Sequence, residues 1–162
     1  MARATSEQIM VENARIAFRN FRGEEDQYNR AGNRNFAVLL PEDLARQLVE
    51  EGWNVKTLKA REEGDTEQPY IQINVAYKVA PPTIVMITSK NRTFLGEDEV
   101  ALMDTADIKN VDLIFTPYHW NVSGNTGVKA YLKKMFVTIE EDALDLKYAD
   151  VLHQNPSASQ DF

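Results

Sequence analysis

Cysteine is absent from this 162-residue chain, and histidine occurs only at His119 and His153. Without thiols there is neither a disulfide framework nor a thiolate zinc site, and two histidines are too few for a histidine-rich one, so no metal or cofactor is expected. A reducing cytoplasm is the simplest setting. No stretch approaches the ~20 apolar residues of a membrane helix, and the first residues, MARATSEQIMVENARIAF, lack a signal-peptide core. Catalytic signatures are missing too: there is no Walker-type glycine loop, GxGxxG, HExxH or serine nucleophile elbow. Asp107-Ile108-Lys109 and Asp145-Leu146-Lys147 carry the acid-x-lysine half of a metal-dependent nuclease, but among 25 acids and 18 bases such tripeptides arise by chance. A non-enzymatic protein is expected.

What the chain does have is enough apolar character, 43% of residues, to bury one core. One domain over residues 1–150 is expected, followed by a flexible C-terminal tail, 151–162. The formal charge of −7 argues at first against a phosphate-bearing partner, yet it is unevenly spread. Residues 140–162 hold six acids against Lys147, which leaves −2 for residues 1–139.

The clearest structural signal is Asn110 to Ile139, two β-branched and aromatic runs around Ser123-Gly124-Asn125-Thr126-Gly127, which reads as a β-hairpin. Upstream, alternation predicts one strand over Ile9 to Phe21, with Ala14, Ile16 and Phe18 on an apolar face and Arg15, Arg19 and Phe21 on the other. Residues 22–34 form a long polar loop carrying Arg22, Tyr28, Arg30 and Arg34. A strand over 35–40 follows, then a helix opened by Pro41 and ended by Gly52, a strand over 53–59, and a polar loop over 61–69. Tyr70 to Lys78 alternates most cleanly, with Ile71, Ile73, Val75 and Tyr77 opposite Tyr70, Gln72, Asn74 and Lys78. A strand over 83–88 and a helix over 97–106, packing through Val100, Leu102, Met103 and Ala106, lead into the hairpin.

Taking 9–21, 70–78, 83–88, 110–120 and 127–139 as five strands gives the order of an oligonucleotide-binding (OB) barrel. In that mapping the fold is mainly β, a five-stranded antiparallel barrel with short helices and residues 22–69 as an elaborated insertion. A helix-decorated sandwich fits the same pattern. Strand alternation groups Tyr118 and Trp120 on one face, and Lys129, Tyr131 and Lys133 on one face of the return strand. Aromatics interleaved with cations suit stacked bases and phosphates. The candidate set is Phe21, Tyr70, Tyr118, Trp120 and Tyr131 for bases, Tyr28 on a loop that could close over a bound strand, and Arg15, Arg19, Arg22, Arg30, Arg34, Lys78, Lys129 and Lys133 for phosphates. Phe18, Tyr77 and Phe136 read as core. The alternative is a protein-interaction or virion component using the same aromatics as an interface, since Tyr, Trp and Arg are also enriched there.

The pieces ENARIAFRNF at 12–21, YNRAGNRNFAVLL at 28–40 and DIKNVDLIFTPYHW with GVKAYLKKMFVTIEED after it resemble the single-stranded DNA-binding proteins of tailed bacteriophages, over most of Val11 to Tyr148. The resemblance implies an OB barrel that coats single strands without strong sequence preference, in the cytoplasm of an infected bacterium. It also implies work beside replication and recombination proteins, often as a dimer. Proteins of this type commonly end in an acidic tail with a terminal phenylalanine. Asp161-Phe162 matches that tip and would meet partner proteins, whereas the ten residues before them are rich in Ser, Gln and Asn rather than acids.

Overall fold

A computed structural model describes residues 4–59, 64, 66–78, 80–142, 144 and 147. The expected tail, with Asp161 and Phe162, lies outside these, as do Asp145 and Leu146 of the second acid-x-lysine tripeptide. The elements in chain order are β1 (Ile9–Val11), β2 (Arg15–Asn20), β3 (Arg34–Leu39), α1 (Glu42–Glu50), β4 (Val55–Leu58), β5 (Gln68–Val75), β6 (Thr83–Ile87), β7 (Arg92–Phe94), a 3-10 helix (Val100–Asp104), β8 (Ile108–Val122) and β9 (Asn125–Ile139).

The single predicted strand over 9–21 is two. Asn13 takes φ 51°, a left-handed value that asparagine tolerates, and its N–H bonds the Asp112 carboxylate at 2.9 Å. The kink sends β1 to pair with β8 and β2 to pair with β3. The sheet path β1-β8-β9-β5-β3-β2 therefore begins and ends on two halves of one bent run, as in an OB-like barrel. β3 pairs with both β2 and β5 along its length, so the predicted insertion 22–69 contains an integral strand. The additions are α1 with β4, which pairs β5, and β6 with β7 on the flank of β9. Among the described residues there are nine strands where seven were expected, five of those in the barrel, and β9 pairs in parallel with β5 and with β6.

The hairpin is longer than expected and its turn tighter. Fifteen-residue strands meet at Ser123 and Gly124 alone, with φ of 53° and 84°, the two positive values a type I′ turn requires. Extra residues in strands decide which side chains face inward. Pairing shifts by one position between Ala17 and Asn20, where Phe18 has φ 50°, and again between Ile114 and Phe115, where β9 accommodates Lys133. After each bulge the inward set changes parity. Phe21 is thereby buried, stacked on Phe36 at 4.9 Å, while Phe18 turns outward. On β9, Val128, Ala130 and Leu132 are buried before the bulge and Met135 and Val137 after it, leaving Phe136 exposed. Phe18 and Phe136, both read as core from alternation, are thus surface residues. Tyr77 does pack against the core, its hydroxyl buried without a hydrogen-bond partner.

The helix expected over 97–106 is only the 3-10 helix. Val100 and Met103 are buried, but Leu102 is exposed. In α1, Leu48 is fully buried, Leu44 is packed against the core, and Gly52 follows at φ 88°. Beside it Glu51 is buried and fully engaged. Burial pushes its carboxyl up, but hydrogen bonds outweigh this and hold it down, from 4.5 to about 2. The donors are Ser6 N–H at 2.8 Å and hydroxyl at 3.1 Å, Gln47 Nε2 at 2.8 Å and Trp53 Nε1 at 3.1 Å. A depressed folded-state pKa gives stability that is complete above 4.5 and lost as pH falls toward 2. Glu51→Gln should therefore lower stability at neutral pH by on the order of 2 kcal/mol. It should also flatten the loss between those two pH values, which thermal melts at several pH values would read.

Candidate nucleic-acid interface

On β5, Ile71, Ile73 and Val75 fill the core, so Tyr70, Gln72 and Asn74 stand on the opposite face. Register extends this face across the sheet. Asn20, Asn35, Asn74, Tyr131 and Thr116 lie in one row over β2, β3, β5, β9 and β8. Arg15, Leu39, Tyr70 and Lys56 make a second row over β2, β3, β5 and β4. Small side chains, Ala17 and Ala37, keep the floor low between them. Four strand spacings of ~4.8 Å give the face a width of about 19 Å.

Two clefts meet on this face, one of about 900 Å³ by Phe18, Arg22 and Tyr70, the other of about 650 Å³ by Lys56, Trp120 and Lys129. They share Tyr28, Asn29, Asn35 and Gln72, so they form one continuous groove. The bulge turns Phe18, 60% exposed, edge-on to Tyr70 at 5.8 Å. Tyr118 and Tyr131 meet edge-on at 5.8 Å, with Lys129 directly opposite Tyr118 on the neighbouring strand. Trp120 closes the far end.

The loop between β2 and β3 overhangs the groove and is held by its own bonds. Gly32 N–H donates to Gly23 O at 2.8 Å, and a Cβ on Gly23 would sit 3.0 Å from the Gly32 carbonyl carbon, so the neck needs glycine there. Asn29 Nδ2 donates to Glu24 O and Asn33 O at 2.8 and 3.0 Å, and its Oδ1 accepts from Asn35 Nδ2 at 3.0 Å. Tyr28, 90% exposed, is carried on this braced tip.

Charge divides the groove. Lys56 and Lys129 face the Trp120 half, which no carboxylate lines. The Phe18 half carries Arg19 and Arg22 among Glu24, Glu25, Asp26 and Asp104. Arg22 Nε pairs with Asp104 Oδ2 at 3.0 Å, and Arg19 caps the 3-10 helix by donating to Met103 O and Ala106 O at 2.9 and 2.8 Å. A polyanion is attracted most strongly to the Trp120 half.

Of the predicted site residues, Arg19, Arg22, Tyr28, Tyr70, Trp120 and Lys129 line the groove, and Arg15, Tyr118 and Tyr131 share its face. Phe21 does not, because the bulge takes it into the core. Nor is Arg34 a surface cation: it donates to Phe21 O at 2.8 Å and pairs with Glu97 at 3.6 Å, tying the loop base to the turn before the 3-10 helix. Arg30, Lys78 and Lys133 are exposed away from both clefts, with Lys133 Nζ donating to Gln8 Oε1 at 3.2 Å. Sequence reasoning missed Phe18 and Lys56. Lys56 was legible as a solvent-facing residue of a strand, but not its place opposite Tyr70. Among the described residues no group of three His, Asp or Glu side chains converges to hold a metal ion.

A family model described as "Putative phage ssDNA-binding domain" matches residues 1–161. Among solved structures, the single-stranded DNA-binding protein from bacteriophage Enc34 in complex with ssDNA is similar at a TM-score of 0.56 and 10% identity, covering 84% of this chain and 88% of that one. Another structure of the single-stranded DNA-binding protein from bacteriophage Enc34 gives 0.54 and 11%, covering 84% and 83%. Its C-terminal truncation gives 0.52 and 12%, covering 84% and 88%. These likenesses are of fold. No curated protein sequence matches the chain.

Proposed function

We propose, from the premise that this chain belongs to the family of phage single-stranded-DNA-binding domains, that the outer sheet face between Phe18 and Trp120 is where it holds a DNA strand. The observation that carries this is one continuous groove with aromatic side chains at both ends and along one side. Bases stack on Phe18, Tyr70 and Trp120, with Tyr118 and Tyr131 beside them. Phosphates run past Lys56 and Lys129. The amides of Asn35, Gln72 and Asn74 lie between and offer hydrogen bonds to any base. Stacking needs only a π-face, so binding tolerates any sequence. A width of about 19 Å suits the short end of the ~4–16 nucleotides an OB fold covers.

The protein binds and protects single strands during phage DNA replication and recombination, in the cytoplasm of the infected host, without catalysis of its own. Asp161 and Phe162 present an aromatic and carboxylate tip to replication or recombination proteins, and two copies associate as a homodimer. A separate protein contact is favoured by one feature away from the groove: Phe94, 72% exposed, and Phe136 flank Val85 in register on β7, β9 and β6.

Titration with a thymidine oligonucleotide over a salt series tests the strand-binding reading. Two to four neutralised phosphates predict a log-log slope of about −1.4 to −2.8. Quenched tryptophan fluorescence with weaker binding to duplex is expected. A slope near zero, or equal binding to duplex, would turn the reading toward a protein interface.

A further inference from the structure

Trp120 stands directly opposite Gly127 on the hairpin. A Cβ on Gly127 would lie 2.5 Å from Trp120 Cζ2, 2.6 Å from Cε2 and 2.7 Å from Nε1. The three atoms are consecutive along one rim of the indole, so that rim occupies the space a side chain on Gly127 would fill. No real Cβ tolerates such contacts, and indole is rigid, so any side chain at this position must evict the ring. The backbone itself does not need glycine here, because Gly127 is not among the glycines with positive φ. The requirement comes from the tryptophan alone.

We infer that Gly127 is a positioning residue for strand binding: it leaves the space in which the Trp120 indole rests across the hairpin, so that the ring is held in place for a base. The inference rests on the groove proposed above. An indole fixed before binding loses little rotamer freedom when a base arrives, which is where much of the cost of ordering a stacking side chain lies. Trp120 also walls both the groove and a smaller depression beside Gly52 and His119. Its orientation therefore sets the edge past which a strand leaves. An aromatic laid over a cross-strand glycine can also serve the sheet alone. In that case substitution would change stability and not binding.

The test compares wild type, Gly127→Ala, Trp120→Ala and the double variant by titration with an eight-residue thymidine oligonucleotide at two salt concentrations. Thermal melts and the indole N–H proton resonances accompany the titrations. Gly127→Ala should shift the Trp120 resonance, identified by its absence in Trp120→Ala, and weaken binding by about 5- to 50-fold. The salt slope should stay unchanged, because no cation is lost. The double variant should bind no more weakly than Trp120→Ala, since both act through one ring. If Gly127→Ala fails to fold, the comparison is made with a smaller ring: Trp120→Phe/Gly127→Ala should bind more weakly than Trp120→Phe, and equal binding by the two folded variants overturns the seat. Wild-type affinity in folded Gly127→Ala overturns it, as does a double variant whose losses add. An oligonucleotide that wild type does not bind would sink the groove instead, and an unmoved Trp120 resonance would then sink the seat.

Discussion

Phe21→Ala is expected to cost about 3–5 kcal/mol of folding stability, the range for emptying a buried phenylalanine site. The ring is fully buried and stacked on Phe36 at 4.9 Å, with an interplanar angle of 18°. Its backbone is equally committed: Phe21 N–H donates to Asp104 Oδ1 at 2.7 Å and its carbonyl accepts from Arg34 at 2.8 Å. Phe18→Ala is expected to do the opposite, leaving stability within about 1 kcal/mol of wild type, the ordinary range for surface sites, while weakening strand binding. Denaturant melts and a thymidine titration on both variants separate the two. A stable Phe21→Ala protein that loses DNA would mean the bulge is wrongly placed.

The second large effect belongs to the two ends of the groove. Tyr70 and Trp120 line different clefts and their rings do not pack on each other, so their contributions should add. At ~1–3 kcal/mol for each stacked base, Tyr70→Ala/Trp120→Ala should lose about 2–6 kcal/mol of binding free energy. That is roughly 30-fold to more than 10⁴-fold in affinity. Tyr70 is half-buried beside Phe18 and Trp120 lies over Gly127, so neither substitution empties the core, and the double variant should still fold.

Much of this arrangement is legible in the residues. The alternation of Tyr70 to Val75 correctly separates inward Ile71, Ile73 and Val75 from outward Tyr70, Gln72 and Asn74. The hairpin, the strand at 34–39 and the helix begun by Pro41 follow from β-branched runs, turn residues and caps in the same way. What failed has one cause repeated. A period of two holds only while the partner strand keeps step, and a single extra residue reverses every side chain beyond it. At Phe18 the bulge exchanged the roles of Phe18 and Phe21, and at Lys133 it brought Phe136 to the surface. Nothing local announces either bulge, because Phe18 is a poor candidate for φ 50° and β9 carries no glycine near Lys133. One strand of the barrel was misplaced for a different reason. Residues 34–39 were short enough to be set aside as part of an insertion, and only pairing with both β2 and β5 identifies them as a barrel strand. Arg34 looked like a phosphate contact because a sequence lists charges but not the Phe21 carbonyl and Glu97 that hold this one.

The groove stands or falls on whether it holds bases rather than only phosphates. The direct measurement is the affinity of wild type and of Tyr70→Ala/Trp120→Ala for a thymidine oligonucleotide and for an abasic deoxyribose-phosphate chain of equal length and charge. Wild type should prefer the thymidine chain by at least about 30-fold, and the double variant should lose that preference while binding the abasic chain as wild type does. Equal wild-type affinity for the two chains would contradict a stacking groove and leave a surface that attracts phosphate alone.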